Sequence, residues 1–333
     1  MAKKRRKPRI FVYIFLLILM LLLLAGLYLL SRLDSIENHT LQDITINDID
    51  DENMEDYTNI AIFGVDSRAN DLKENTRSDS IIIATINNKT HEVSLTSVYR
   101  DTYVQIDEHG FNKINHAYAY GGPDLAVDTL NTNFDLNIQD FITVNFSALS
   151  NVIDGLGGIT LNIKKGERKW VNAYARDVAR INGTEYTKIE KPGKQTVTGV
   201  QATGYCRVRA TAGGDFTRAK RQRKVLEAIF EKAKKTNPFT LLQVMNDMLP
   251  QIYTSMTTSD ILNLAAFLPF YEISNQKGFP YDMEAKRAAN GIYYDFPVTL
   301  TSNVTKLHKK LFGTKKYQPS QTVQDINQSM GYY

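Results

Sequence analysis

Between Ile10 and Leu30 the chain runs for 21 residues without a charged side chain. At about 1.5 Å per residue an uninterrupted helix of that length spans roughly 31 Å, the thickness of a bilayer's hydrocarbon core. A cleaved secretion signal would have a shorter apolar run of about 7–15 residues and a small-x-small site. Here the run is longer and Ser31-Arg32-Leu33-Asp34 offers no such site, so an uncleaved anchor is expected. Lys3, Lys4, Arg5, Arg6, Lys7 and Arg9 precede it, whereas only Arg32 follows closely. That asymmetry predicts a cytoplasmic N-terminus (1–9), a transmembrane signal anchor (10–30) and everything else outside the membrane, a single-pass type II arrangement.

The basic tag also changes the meaning of the net charge. The chain carries +4 overall; removing the six tag charges leaves −2 for residue 10 onward. Nucleic-acid-binding domains carry their positive excess in the folded part, so no nucleic-acid partner is expected. Cys206 is the only cysteine, which excludes a framework of intrachain disulfides.

An acidic, polar segment over 31–56 reads as a stalk. A globular pattern follows over 57–313, and 314–333 reads as a polar C-terminal tail. Strands are predicted at Asn59–Val65, Ser80–Asn87, Glu92–Val98, Phe141–Phe146 and Ile159–Ile163, with a hairpin over Thr102–Ile106 and Phe111–Ile114. Helices are predicted at Pro123–Asn133, at Ser147–Leu156 with Ser147 as cap, and from Phe216 to about Lys235. Further helices are expected around Leu241–Met248, Thr258–Leu268 and Val304–Leu311, with a late strand in Ile292–Thr301. Residues 164–197 carry weak periodicity and read as a surface excursion. Strands interleaved with helices give a mixed α/β (α+β) domain, a central mixed sheet covered by helices.

No P-loop, H-E-x-x-H, G-x-S-x-G or C-x-x-C motif is present, and the five histidines are scattered. Charge instead gathers at strand ends. The first strand runs into Asp66 and Arg68, the second opens from Arg77 and Asp79, and the third exits at Arg100-Asp101. A hairpin between the second and third strands sets Asp79 beside Arg100. A second cluster lies in 205–223, where Arg207 and Arg209 share a face if the segment is extended. Counting about 100° per residue from Val225, Arg218 falls at about 20° and Gln222 at about 60°, inside the apolar stripe, with Arg221 just off it. Lys220 and Lys224 point away. Arginine rarely faces a core unpaired, so Arg218 and Gln222 are expected to line an anion pocket at a helix N-terminus. Asp66 and Asp79 are hard oxygen donors suited to Mg²⁺ (or Mn²⁺), leaving other positions to water and phosphate oxygens.

The ordered motifs G-x-D-x-R, R-S-D-S, R-D-T-Y-V, K-I-N-H-A-Y-A-Y-G-G, D-G-L-G-G and R-V-R…D-x-x-R-x-x-R-Q, over roughly residues 57–235, resemble the LytR-CpsA-Psr family. The resemblance implies a membrane-bound phosphotransferase-type enzyme of Gram-positive bacteria. It would move an anionic glycopolymer (wall teichoic acid, capsular or related polysaccharide) from a polyprenyl-pyrophosphate carrier to peptidoglycan, usually the 6-hydroxyl of N-acetylmuramic acid. It further implies catalytic roles for Arg100, Asp66 and Asp79, with Mg²⁺ held by the two aspartates. Arg77, Arg100, Lys113, Arg207, Arg209, Asp215, Arg218, Arg221 and Gln222 form the implied pyrophosphate-lipid-binding set. The implied lipid tunnel runs between sheet and helices, with the helix 123–133 and the stripe Val225–Ala233 as candidate walls. Where the family has Pro before the R-D pair, this chain has Tyr99. Three alternatives stand beside transfer. They are hydrolysis of polyprenyl pyrophosphate at the same site, a transcription attenuator or regulator, and a lipid- or polymer-binding module without catalysis.

Overall fold

The computed structural model describes residues 37–331 apart from 50, 68–71 and 74. The expected anchor at 10–30 lies outside the described residues, and among those described no helix is long and apolar enough to cross a membrane. Arg68 is likewise outside them.

The centre is a seven-stranded mixed sheet. β1 is Glu37–Asn38, β2 Tyr57–Val65, β3 Ser78–Asn87 and β4 Glu92–Val98. β5 (Tyr103–Ile106) and β6 (Gly110–Lys113) form the expected small hairpin. Helix α1 spans Asn115–Phe134, β7 is Asp140–Asn145, and α2 is Phe146–Gly155. β8 (Ile159–Ile163), α3 (Lys165–Asn182), β9 (Gly193–Val197), α4 (Gly199–Arg207) and α5 (Gly214–Ala233) follow. The remainder comprises α6 (Pro238–Met248), β10 (Ile252–Thr254), α7 (Thr258–Phe267), β11 (Glu272–Phe279), β12 (Met283–Arg287), β13 (Tyr293–Pro297), α8 (Leu300–Leu311) and α9 (Gln321–Ser329).

The sheet order is β1-β10-β7-β2-β3-β4-β11. β2, β3 and β4 run as an antiparallel meander, whereas β7 lies parallel to β2 and β11 parallel to β4. Alternation sends Ala61, Phe63, Ile81 and Ile83 to one face, where Val127, Leu130 and Phe134 of α1, Leu307 of α8 and Ile326 of α9 close the main core. Ile60, Ile82, Ile86 and Leu95 project to the other face, beneath the half-buried Leu226 of α5 and Ile261 and Leu264 of α7.

α1 is broken where its sequence reads Gly121-Gly122-Pro123. Gly122 sits at φ 61°, a conformation costly for other residues, and Pro123 opens the second segment with a preset φ. The expected start at Pro123 is therefore a segment boundary inside a longer helical stretch.

Several expectations are corrected. α2 is capped by Asn145, whose side chain accepts from Ala148 N, rather than by Ser147. Residues 164–197 hold an 18-residue helix and a strand, not an excursion. Val171, Ala175, Val178 and Ala179 form its buried stripe, narrow because half of it is alanine. Arg207 ends helix α4, so it and Arg209 are not two positions of one strand. The expected tail packs on the core, with Val323 and Ile326 buried and Ser320 Oγ 2.6 Å from Asp135 Oδ1. Much of the expected stalk is also docked. His39 reaches Asp124 at 2.6 Å, Asn47 reaches Asp135 at 2.6 Å, and Met54 is buried in the main core.

Candidate active site

Register brings three strand ends to one rim. Val65 pairs with Ser78 and Ile81 with Val98, so the exit of β2, the entry of β3 and the exit of β4 are neighbours. The antiparallel meander thereby places Asp66, Asp79 and Arg100 together. From the opposite wall, α4 ends at Arg207 and α5 begins at Gly214, and the glycine pair Gly213-Gly214, at φ 86° and 45°, makes the turn between them. That turn aims the N-terminus of α5, with its positive potential, at the same rim.

The charges interlock. Arg100 donates from Nη1 to Asp79 Oδ1 at 2.6 Å and from Nε to Asp215 Oδ2 at 2.7 Å. Arg209 Nη2 reaches Asp79 Oδ2 at 3.0 Å and its Nε approaches Asp215 Oδ1 at 3.5 Å. Arg218, 5% exposed, donates to the Asp79 carbonyl at 3.0 Å, and its Nε–H has no partner among the described residues. A buried donor left unmade costs about 1–3 kcal/mol, which an anionic ligand at this position would recover. Arg207 lies 3.7 Å from Asp66 and over the Phe146 ring at 4.9 Å. Gln222 accepts from Ser80 Oγ at 3.1 Å.

Electrostatics follow from this mesh. Burial pushes the Asp79 carboxyl up, but Arg218, Arg100 and Arg209 outweigh it and hold it below the ordinary range. For Arg100, burial works against the charge, yet Asp79 and Asp215 prevail and raise it. Burial drives Arg218 down to about 10, with Asp215 opposing and Arg209 and Arg100 assisting. It remains a cation at neutral pH.

Three spaces meet here. An inner pocket of about 140 Å³ is lined by Arg207, Arg209, Arg218 and Gln222 together with Asp66 and Asp79. It continues through Phe146, Cys206 and Gln222 into an apolar slot walled by Ile62, Ile82 and Val144 of the sheet and by Leu149, Val225 and Leu226 of the helices. On the outer side of Asp66, Asp79 and Arg209 opens a cleft of about 600 Å³, reached also by Arg77, Arg100 and Lys113. Lys113 Nζ holds Asp101 Oδ1 at 2.8 Å. The slot uses α2 and the start of the Val225–Ala233 stripe. Helix 123–133, the other expected wall, covers the opposite face of the sheet, because Val127 and Leu130 pack on the Phe63 side.

Arg221 departs from its expected anion-binding role. It is 2% exposed and held by Glu167 Oε1 at 3.0 Å from Nη2, by the Val208 carbonyl at 2.9 Å and by Thr211 Oγ1 at 2.5 Å. It ties the 208–211 segment to α3 and lines neither pocket nor cleft. Lys220 and Lys224 are exposed, as the helical phase requires.

Sequence reasoning missed Glu167, Asn115, His116 and Asp295. Burial and the neighbouring Asp101 and Asp215 raise the Asp295 carboxyl to about 6. A lone acid within Tyr-Tyr-Asp-Phe-Pro is its only signal in the sequence.

Among the described residues no three His, Cys, Asp or Glu side chains gather as a metal cluster. Asp66 and Asp79 do share the walls of both cavities, a two-carboxylate set that suits a divalent cation whose other positions are filled by water and phosphate oxygens.

The model of the LytR_cpsA_psr family matches residues 24–310. A polyisoprenyl-teichoic acid–peptidoglycan teichoic acid transferase, TagU of Bacillus licheniformis, is 32% identical over 250 residues, 74% of each chain. TagU of Oceanobacillus iheyensis is 33% identical over 247 residues, covering 72% of this chain and 71% of its own. Among solved structures, TagT bound to LI-WTA superposes with a TM-score of 0.63 at 25% identity, covering 83% of this chain and all of its own. A TagT with bound octaprenyl pyrophosphate lipid gives 0.60 at 23%, with the same coverage. The curated relatives are transferases, and the family match spans most of the sequence. With its interlocked arginines, paired aspartates and mixed sheet, this chain belongs to the LytR-CpsA-Psr family.

Proposed function

We propose that this protein transfers an anionic glycopolymer from a polyprenyl-pyrophosphate carrier to peptidoglycan, at the outer face of the membrane in which residues 10–30 anchor it. The observation that carries the reading is the continuity of an arginine-lined pocket with an apolar slot, sharing Phe146, Cys206 and Gln222. A ligand matching both is an anion covalently joined to a hydrocarbon. The named relatives act on polyisoprenyl-linked teichoic acid and peptidoglycan, the same chemical class.

In this reading the pyrophosphate displaces carboxylates from Arg207, Arg209 and Arg218, while Arg100 contacts the phosphoryl group that is transferred. Guanidinium groups fixed in advance stabilise charge on the leaving phosphate without a covalent nucleophile. Arg100, Arg207, Arg209 and Arg218 against Asp66, Asp79 and Asp215 leave a single positive charge, to which Arg77 and Lys113 against Asp101 add one more on the cleft side. Asp66 and Asp79 would hold Mg²⁺, which when bound would add positive charge beside the phosphoryl oxygens. The 600 Å³ cleft on the open side has room for a bulky acceptor, which supports transfer as the reading.

The test is transfer of glycan from a lipid-pyrophosphate donor to peptidoglycan by the full-length protein in detergent. Arg100→Ala and Asp79→Ala should each lower the rate by about 10²–10³-fold, the usual cost of one transition-state contact. Wild-type turnover by either variant would remove the site assignment.

A further inference from the structure

The outer cleft contains two groups that the pyrophosphate pocket does not use. Asn115 is 3% exposed, lines the cleft, and its Oδ1 has no hydrogen-bond partner among the described residues. His116 lines the same cleft, and its protonation pattern can be read from its neighbours. Asn112 Oδ1 accepts from the Lys113 backbone N–H at 2.8 Å, which fixes the orientation of that amide. Its Nδ2 donates to Tyr120 Oη at 3.1 Å. The His116 Nδ1 lies 2.9 Å from the same Oδ1, which can only accept, and 3.5 Å from Tyr120 Oη; the shorter contact assigns Nδ1 as the N–H nitrogen. The lone pair is left on Nε2. Among the described residues no hydrogen bond to Nε2 is found.

We propose that His116 is the general base of the transfer reaction, taking the proton of a saccharide hydroxyl seated in the outer cleft against Asn115. The inference rests on the transferase reading above and extends it to the acceptor side. As the hydroxyl oxygen forms its bond to the glycan-side phosphorus, the bond from that phosphorus to the bridging oxygen breaks. Polyprenyl phosphate leaves with that electron pair, held by the arginines, and the hydroxyl proton ends on Nε2. Two negative charges on the donor become one on the phosphodiester product, two on the leaving phosphate and one positive charge on the imidazolium. Afterwards the cleft, open to solvent, lets the proton go.

The surroundings keep the imidazole neutral between turnovers. Burial, Arg77 and Lys113 lower its proton affinity below the ordinary histidine value, with Asp101 opposing them. On its own helix the Tyr120 ring lies 5.6 Å away, itself stacked on His109 at 4.3 Å. A neutral base with one fixed tautomer is the arrangement that proton abstraction requires.

The experiment uses the full-length protein in detergent, a synthetic polyprenyl-pyrophosphate disaccharide as donor and an oligomeric peptidoglycan fragment as acceptor. His116→Ala and the near-isosteric His116→Gln should lower kcat by about 10²–10⁴-fold and leave donor affinity unchanged. The acid limb of the wild-type pH–rate profile should vanish in both variants. Asn112→Ala, which frees the tautomer, should cost less and keep the limb. Either His116 variant working within about threefold of wild type with its acid limb intact would overturn the assignment. So would loss of donor binding in His116→Gln, which would place the residue in the donor pocket. A wild-type protein that binds the donor yet transfers nothing would instead refute the transferase reading itself.

Discussion

Replacing Glu167 by Ala should destabilise the domain more than replacing any exposed acid, although Glu167 lines neither the inner pocket, the slot nor the outer cleft. Its side chain is 11% exposed and its partner Arg221 is 2% exposed, so both charges have left water. Removing one member of a buried pair costs about 3–5 kcal/mol, because the other is stranded. Arg221 would keep the Val208 carbonyl, Thr211 Oγ1 and the Tyr205 ring 5.7 Å away, which places the loss near the lower end. At about 2–4 °C per kcal/mol for a domain of this size, about 3 kcal/mol lowers Tm by roughly 6–12 °C. Differential scanning calorimetry of wild type, Glu167→Ala, Arg221→Met and the double variant Glu167→Leu/Arg221→Met measures it. The double variant should recover most of the loss, since two apolar side chains of similar volume replace a pair that was costly to desolvate. Donor affinity should fall modestly in Glu167→Ala, because the 208–211 segment carrying Arg209 loses its tether. A Tm drop under about 3 °C, with Arg221→Met weakening donor binding as strongly as Arg218→Ala, would refute this account and return Arg221 to the anion pocket.

Arg218→Ala should weaken donor binding by about 10–100-fold, the loss of one charge-assisted contact, whereas Lys224→Ala stays within about twofold; equal losses by titration would mean that α5 is misphased. Asp295 supplies a pH prediction. Its folded-state value near 6 lies above the unfolded one, so the folded state binds the extra proton and stability falls as pH rises from about 4 to about 6. Asp295→Asn should therefore raise Tm more at pH 7.5 than at pH 4.5, by up to about 3 kcal/mol equivalent; a gain independent of pH would contradict it.

How much of this was legible in the sequence depends on distance along the chain. Asp79 beside Arg100 follows from a hairpin with a short polar turn, where register alone fixes the neighbours. Arg218 and Gln222 were legible because a helix repeats its directions. Glu167 was not, since its partner lies 54 residues on and its own helix hides a narrow alanine-rich stripe among charges. Asp295 reaches Asp101 through a backbone contact that only the tertiary fold creates. The edge strand β11 also lacked a signal. Glu-Ile-Ser-Asn-Gln-Lys-Gly-Phe alternates weakly, and its parallel pairing with β4 spans some 180 residues of chain.

The central sheet separates two unequal halves. Below it, α1, α8 and α9 contribute side chains with essentially no solvent contact, among them Val127, Leu130, Phe134, Leu307 and Val323. Above it, α7 has no buried residue and α6 only one. Amides of α6 and α7 should therefore exchange with solvent through local openings, while those of β2, β3 and α1 exchange only when the whole domain unfolds. A chain as long as a polyprenol needs room that a close-packed interior lacks. Under the proposed function, the loosely packed α6 and α7 are the elements free to shift for such a chain, while the buried face keeps Asp66, Asp79 and Arg100 in register.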